Sequence, residues 1–577
     1  MTRPISILGI NCAYHESSAC LIQDGELIAA VEEERFNRVK HGKPARVDNA
    51  DELPRQSIAF CLDSGGLTDL SQVDFIGYSF EPEDRLRKNL AHDHGYPIAT
   101  GDYGTEAGER LFYEKNLNVE RKLRAQGFDG RFCYLDHHDC HAASGFYVSG
   151  YETSAVMVVD GIGEFESSSF YVGEGTRLRR LRHFEYPDSL GFLWEKLSAF
   201  LGFSGYDAAK AMGLSSYGEL GVYDAALSKL LRVDDDGRFH VDDRLVRIRN
   251  DDYSALEELF GVPKLAAPVS EVTPANQCYA DIAVALQLAT EQIFIKLGRG
   301  LRAETGQRHL CMAGGVTLNC VANAYLANER VFENIYVQPA ANDAGTAIGA
   351  AYLIWHHQLG QPRLPVTKSP YLGPAFDNDA IEPVLAAHGL DYTRMDQVES
   401  ATAQLLADGA IIAWFQGRME IGPRALGNRS LLADPRYAEV TQLMNLKVKH
   451  REAFRPFCPS VLAEKAGDWF ELPTPMPELA DYMLGAFRAR KDRAEQIPAV
   501  VHFDGTSRLQ AVHKETNPRF HALLEEMDKR TGVPVLLNTS FNDQEPIVCT
   551  PTDAVQTFLK TRIDYLVIGD FIATKAR

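Results

Sequence analysis

Ala155-Val156-Met157-Val158-Val159-Asp160-Gly161-Ile162-Gly163-Glu164-Phe165-Glu166-Ser167-Ser168-Ser169-Phe170-Tyr171-Val172-Gly173-Glu174-Gly175 is the stretch on which the fold turns. An apolar run gives way to a polar loop, then a second strand-like run, a glycine turn and a further strand-like run. The same order stands near the N-terminus. There Ile5–Ile10 leads through the loop Asn11–Ser17 to Ser18–Ile22, the turn Asp24-Gly25 and Leu27–Val31. Two copies about 150 residues apart read as an internal repeat, hence two homologous half-domains. With helices between the copies, the pattern predicts an α/β architecture whose halves close on a cleft, with the loops after the first strands facing it.

Between the copies lies Asp136-His137-His138-Asp139-Cys140-His141-Ala142-Ala143-Ser144, after the short apolar strand Phe132–Leu135. If a helix has begun by His137, then His137 and His141 share one face at i and i+4, about 5–6 Å apart at Cβ. Two imidazoles so placed suit a metal ion, each nitrogen about 2.0–2.1 Å away. A His pair alone also fits a hydrogen-bonded pair at a helix start. Two aspartates at strand ends strengthen the metal reading: Asp160, and Asp343 in Pro339-Ala340-Ala341-Asn342-Asp343-Ala344-Gly345-Thr346. His138 and Cys140 point off the shared face and are read as non-ligands.

The chain has 577 residues, 45% apolar and 24% charged, with a formal charge of −20. That length predicts two domains or more of an ordinary globular protein. The acidic balance argues against broad nucleic-acid binding, and no run of 18 apolar residues stands ready to span a membrane. The apolar run Ile5–Ile10 is too short for a signal peptide. Ten scattered cysteines without a Cys-x-x-Cys pair suggest neither disulfides nor a thiolate zinc site, so a reducing cytoplasm is expected.

Two further loops have phosphate-binding character. Gly205-Tyr206-Asp207-Ala208-Ala209-Lys210-Ala211-Met212-Gly213-Leu214 is glycine-rimmed and carries Lys210. Cys311-Met312-Ala313-Gly314-Gly315-Val316-Thr317-Leu318-Asn319 follows a short strand, and its paired glycines let backbone N–H groups approach a phosphate. No Walker-type sequence is present. Residues 281–304 read as a buried helix. The proline-punctuated stretch Gly360–Pro370 marks a boundary, giving domains 1–365 and 366–577. Residues 465–520, rich in prolines and charges, read as a flexible flap over the second domain.

The second domain carries a local reversal of charge. From Arg418 to Arg455 eight Lys/Arg face four acids, a net of +4 in an acidic chain. Its centre is Gly417-Arg418-Met419-Glu420-Ile421-Gly422-Pro423-Arg424-Ala425-Leu426-Gly427-Asn428-Arg429-Ser430. Arginines interleaved with glycines suit bidentate grips on phosphate, although a solvated basic surface has the same composition. Lys449-His450-Arg451, Arg508 and Asn538-Thr539-Ser540-Phe541-Asn542 add donors.

Together these motifs resemble the O-carbamoyltransferase family of antibiotic and nodulation-factor biosynthesis. The resemblance rests on His137-x-x-x-His141, Asp160, Gly314-Gly315-Val316-x-Leu318-Asn319, Asp343-Ala344-Gly345-Thr346 and Gly417-Arg418-x-Glu420-x-Gly422-Pro423-Arg424-Ala425-Leu426-Gly427. One departure is the segment before Lys210, where the family more often has a glutamate or asparagine. The resemblance implies a duplicated N-terminal domain of the actin, sugar-kinase and heat-shock-protein (ASKHA) type, and a smaller YrdC-like α/β C-terminal domain. A YrdC-like signature, Lys-x-Arg with a distant Ser-x-Asn, is matched by Lys449-His450-Arg451 and Ser540-Phe541-Asn542.

The resemblance further implies an ATP-dependent reaction with carbamoyl phosphate and Mg2+-ATP as substrates. Carbamoyl-adenylate would form in the C-terminal domain at Arg418, Arg424, Lys449, Arg451, Arg455, Arg508, Ser540 and Asn542. The carbamoyl group would then pass to a hydroxyl of a secondary metabolite in the N-terminal domain. His137, His141, Asp160 and Asp343 would hold a divalent ion there, Fe2+ by resemblance, with Mn2+ or Zn2+ as alternatives. Gly314, Gly315, Asn319, Gly345 and Gly213 would seat the nucleotide, with Lys210 and Lys40 as phosphate contacts. His15, in the first cleft loop, is the candidate base for the acceptor hydroxyl, a turn histidine being its bland alternative. The expected partners are small molecules, with no nucleic acid and no membrane. Rival readings are a tRNA threonylcarbamoyl-adenosine enzyme, disfavoured by the acidic balance, and an ASKHA-type sugar kinase, which leaves the His/Asp set and the arginine–glycine run unexplained.

Overall fold

The computed structural model describes residues 3–366 and 368–575; Thr367 of the linker and the side chain of Lys447 lie outside them. The chain divides into one compact unit ending at Lys368 and another beginning at Ser369.

The N-terminal unit holds the repeat as two five-stranded sheets. Strands β1 (Ser6–Asn11), β2 (Ser18–Gln23), β3 (Glu26–Glu32), β4 (Phe75–Tyr78) and β5 (Arg131–Tyr134) form the first, in the order β3-β2-β1-β4-β5. Strands β6 (Thr153–Val159), β7 (Glu166–Glu174) and β8 (Arg177–Glu185) are followed by a small hairpin of β9 (Leu231–Val233) and β10 (Phe239–Val241). With β11 (His309–Ala313) and β12 (Asn334–Val337), β6 to β8 complete the second sheet, β12-β11-β6-β7-β8. In each sheet three antiparallel strands are extended by two parallel ones. β1 and β7 are buried nearly end to end, so they read as continuous apolar or small-residue runs instead of alternating ones. The β2–β3 connection is the two-residue turn Asp24-Gly25 with φ of 47° and 89°, the geometry that makes a glycine valuable there.

The helices His137–Val148 and Thr346–Leu353 follow the last strand of their respective sheets, so they are repeat equivalents. They touch at Gly349, where a Cβ would sit 1.7 Å from the Cys140 carbonyl oxygen. Only hydrogen fits there. The second helix also lies against β1 at Gly9, where a Cβ would approach the Ala347 oxygen to 1.8 Å. The long helix Gln277–Thr305, expected over 281–304, is apolar and long enough to cross a membrane. However, 78% of its most apolar window is buried inside the fold, which makes it a core helix.

The C-terminal unit is a mixed α/β structure. Its strands in chain order are β13 (Asp391–Arg394), β14 (Ile412–Phe415), β15 (Arg429–Ala433), β16 (Cys458–Leu462), β17 (Ala486–Arg488), β18 (Thr506–Arg508), β19 (Gln510–Val512), β20 (Val535–Ser540), β21 (Tyr565–Ile568) and β22 (Phe571–Thr574). Eight form one sheet, β13-β22-β21-β14-β15-β20-β16-β19, while β17 pairs with β18 apart from it. Val398, Ala403 and Leu406 of helix Val398–Ala407 and Phe520, Leu523 and Met527 of helix Pro518–Thr531 close a core with Trp414, Leu432 and Leu536. Residues 465–520, expected as a flap, are built into the unit instead. β17 and β18 pair within them, β19 joins the main sheet, and Trp469, Phe470, Leu479 and Leu484 are buried. Prolines and charges in that segment punctuate short elements and do not signal a free loop.

Candidate metal centre and cationic cluster

Four ligand atoms converge at the repeat's seam within the N-terminal unit. His137 and His141 lie on the helix His137–Val148, which begins where the Asp136 side chain accepts the Asp139 N–H. Their rings stand 4.7 Å apart at 90°. Asp160 follows β6, and Asp343 precedes the equivalent helix of the second copy. The four side chains are buried, and their ligand atoms all lie within 4.8 Å of one another.

The separations are informative. His137 Nε2 lies 3.7 Å from Asp160 Oδ2 and 3.5 Å from Asp343 Oδ1, while His141 Nε2 lies 3.6 Å from each. These distances exceed an N–H···O hydrogen bond, and neither Nε2 has a hydrogen-bond partner among the described residues. In a tetrahedron the ligand–ligand edge is roughly 1.6 times the bond length, so such edges match an ion about 2.1–2.3 Å from each atom. His137 Nδ1 is 3.0 Å from the Ser79 carbonyl, which can only accept, so Nδ1 carries the proton and Nε2 keeps a lone pair for a metal. Asp160 is oriented likewise: its Oδ1 accepts the Gly315 N–H at 2.8 Å, leaving Oδ2 for the centre. The donor set and its spacing therefore fit a divalent first-row ion. Burial alone would push the His137 imidazole down, but the Asp343 and Asp160 carboxylates outweigh it and raise it well above the usual range. His138 turns aside: its Nδ1 meets Ser169 Oγ at 2.8 Å, and burial pushes its pKa down to about 3.

His15 occupies the loop after β1, equivalent to the loop that carries Asp160. Its Nδ1 lies 3.6 Å from Asp343 Oδ2, and its ring is 4.9 Å from that of Tyr206. Burial would lower its pKa, yet Asp343 raises it to about 9. A base at neutral pH needs the uncharged ring, and a cation on Asp343 would cancel the carboxylate's pull. Glu195, on helix Leu190–Phe200, was not visible from sequence; burial lifts its carboxyl to about 7, with His15 opposing.

Other sequence candidates in this unit are occupied locally. Gly205–Leu214 is not a loop: a short turn, Gly205–Asp207, runs into helix Ala208–Ser215, which takes in Gly213. Lys210 pairs with Asp207 at 2.8 Å, and Lys40 is exposed. Gly314 adopts φ of 94° and its Cβ would strike the Val159 oxygen at 2.4 Å, so β6 requires glycine there. Gly345 is hemmed in by the Ala340 oxygen at 2.1 Å. The Asn319 side chain caps helix Cys320–Asn328 and bonds Gln287.

In the C-terminal unit, Lys449 is fully enclosed. Its Nζ donates to the Ser540 oxygen at 2.5 Å, the Asn542 oxygen at 2.9 Å and Asn542 Oδ1 at 2.6 Å. Burial, then Arg451 and Arg455, push its pKa well down. Arg451 packs over Phe457, and burial followed by Arg455 lowers it to about 9. Arg508 adds to that field and donates to Cys458 Sγ at 3.1 Å, while Arg455 lies 3.6 Å from Glu452. Lys449, Arg451, Arg455, Arg508, Ser540 and Asn542 thus share one cationic neighbourhood. The arginine–glycine run is partly scaffold. Arg418 donates to the Gly373 and Leu372 carbonyls, and Glu420 accepts the N–H groups of Leu426, Asn428 and Arg429. Arg424 is half-buried in the same run.

Fold and site thus define a duplicated α/β protein with a buried His/Asp centre able to hold a metal. The family model described as carbamoyltransferase N-terminus matches residues 6–352, and that for the carbamoyltransferase C-terminus matches residues 403–575. Nodulation protein NolNO of Sinorhizobium fredii is 38% identical over 98% of this chain and 80% of that protein. Nodulation protein NolO of Bradyrhizobium diazoefficiens is 41% identical over 76% of this chain and 79% of that protein. An uncharacterized Synechocystis protein, sll1178, is 38% identical over 99% and 96% respectively. A crystal structure of full-length HypF is similar at a TM-score of 0.33 and 13% identity, covering 61% of this chain and 56% of that one. The chain belongs to the carbamoyltransferase family, and it is a transferase enzyme.

Proposed function

We propose that this enzyme is an ATP-dependent O-carbamoyltransferase acting on a hydroxyl of a secondary metabolite, with residues 1–365 as transfer domain and 366–577 as a YrdC-like adenylate-forming domain. The observation that carries the reading is the enclosed Lys449 beside Arg451 and Arg455, in a chain of this family that also holds a buried cluster of two histidines and two aspartates. In the C-terminal unit, water cleaves carbamoyl phosphate to carbamate and phosphate. The carbamate oxygen attacks the α-phosphorus of ATP, the α–β bridging P–O bond breaks, and pyrophosphate leaves. Lys449, Arg451, Arg455, Arg508 and Arg424 neutralise the polyanions, while Arg418 braces the run that carries Arg424, and Ser540 and Asn542 orient the carbamoyl end. Preorganised charge of this kind lowers phosphoryl-transfer barriers.

In the N-terminal unit the acceptor oxygen attacks the carbamoyl carbon and AMP departs. His15, once Asp343 is neutralised, takes the hydroxyl proton. His137, His141, Asp160 and Asp343 would hold Fe2+, Mn2+ or Zn2+, which supplies Lewis acidity to the carbamoyl carbonyl. The ten free cysteines suit a reducing cytoplasm. Two variants test the division. Lys449→Ala abolishes carbamoyl-phosphate-dependent ATP–pyrophosphate exchange. His137→Ala keeps exchange but loses bound metal and carbamoyl gain by a hydroxylated panel, read by mass spectrometry. Exchange surviving in Lys449→Ala overturns the synthesis site, and unchanged metal in His137→Ala removes that ligand.

A further inference from the structure

Arg249 lies in the segment after the short helix Asp243–Val246, and the fold holds this segment in place from several sides. Lys196 Nζ donates to the Arg247 and Asn250 carbonyls at 2.9 and 2.5 Å, and the Arg249 N–H donates to Tyr96 Oη at 3.1 Å. The Ile248 N–H donates to Asp243 Oδ1, which keeps its other oxygen for the hydroxyls of Tyr96 and Tyr186. The guanidinium is thereby set among three aromatic rings: Phe192 at 4.8 Å, Tyr186 at 5.2 Å and Tyr103 at 5.8 Å. Phe192 in turn lies 3.7 Å from where a Cβ on Gly161 would stand, so this aromatic cluster adjoins the loop of Asp160.

Within it, Arg249 Nε and Nη2 are buried and have no hydrogen-bond partner among the described residues, and nor does the buried Tyr103 hydroxyl. Nε–H and the neighbouring Nη2–H form the side-on edge of a guanidinium, the two-pronged donor that matches a carboxylate. A buried donor edge left unused is costly unless an oxyanion completes it. The network above fixes the segment that carries it.

We propose that Arg249 is the anion-binding residue of the acceptor subsite, so that the acceptor is a hydroxylated compound bearing a carboxylate, its body lying against Phe192, Tyr186 and Tyr103. This rests on the carbamoyl-transfer reading. A nucleotide phosphate offers similar oxygens, and the experiment separates the two. Calorimetry on the full chain with shikimate against methyl shikimate, and D-glucuronate against its methyl ester, is expected to show the acids bound at least 10-fold more tightly, about 1.4 kcal/mol. Arg249→Gln equalises acid and ester. Arg249→Lys, which keeps charge without the paired edge, falls between them. Equal binding of acid and ester by the unsubstituted protein overturns the proposal. So does full discrimination in either variant, or a loss of AMP affinity in Arg249→Gln without loss of discrimination. ATP–pyrophosphate exchange by the unsubstituted protein, which needs no acceptor, reports separately on the carbamoyl-transfer reading.

Discussion

Replacing Gly349 by alanine tests how the repeat's two equivalent helices hold the candidate metal centre. The new Cβ would lie 1.7 Å from the Cys140 oxygen, 2.6 Å from its carbonyl carbon and 3.0 Å from its Cα. All three are backbone atoms, so no side chain can swing aside. An ordinary C···O contact needs about 3.3 Å or more, so the helices must part by roughly 1.5 Å. Over-packing of this kind costs about 1–3 kcal/mol, and a purely backbone obstacle places this case at the upper end. Cys140 directly precedes His141, and the turn Asp343–Gly345 runs straight into Thr346–Leu353, so the same shift stretches the 3.5–3.7 Å N···O separations that suit one ion. Urea unfolding is expected to show a loss of about 2–3 kcal/mol. Elemental analysis is expected to show clearly reduced metal per chain. A variant as stable as the parent, with equal metal content, would refute the claim that this helix crossing positions the ligands.

Two other outcomes follow from the charges. In chelated protein, Asp343 raises His15 from 6.5 to about 9. A raised imidazole adds stability that is complete below pH 6.5 and lost as pH climbs through 9, at most about 3 kcal/mol. The chelated protein should therefore weaken across that window and the metal-loaded protein much less; coincident urea midpoints would contradict the pairing. Arg429 is buried, donates to the Gln416, Asn428 and Pro374 carbonyls and lies 3.7 Å over Phe415. Arg429→Met takes the donor from the Gln416 carbonyl, while the Asn428 and Pro374 carbonyls keep the N–H groups of Gln416 and Met419, and should cost about 1–3 kcal/mol by denaturant titration, whereas a change within about 0.5 kcal/mol would show the clamp to be dispensable.

Much of the site could be read because its signals are local. The i, i+4 spacing of His137 and His141 needs only a helix, and an aspartate after an apolar strand needs only a strand end. The arginine–glycine run was equally visible, but its division of labour was not. Arg418 and Arg429 look like phosphate ligands in one dimension, and in three they brace backbone carbonyls that no sequence pattern reveals. Gly205–Leu214 misled in the opposite sense, since alanines at 208, 209 and 211 favour a helix once a neighbour covers one face. Glu195 and Arg249 carry no flanking motif, and their surroundings come from segments dozens of residues away.

By itself the sequence determined the duplicated α/β plan, the placing of two histidines and two aspartates at helix start and strand ends, and the local cationic run from Arg418 to Arg455. Periodicity and charge run along the chain and survive without folding. Only the tertiary structure decided which nitrogen of His137 faces the centre, which glycines let helices meet, which arginines are already spent on carbonyls and that Arg249 keeps an unused edge among the described residues. Those are matters of distance between remote segments, fixed by close packing and by the cost of leaving a buried polar group unpaired.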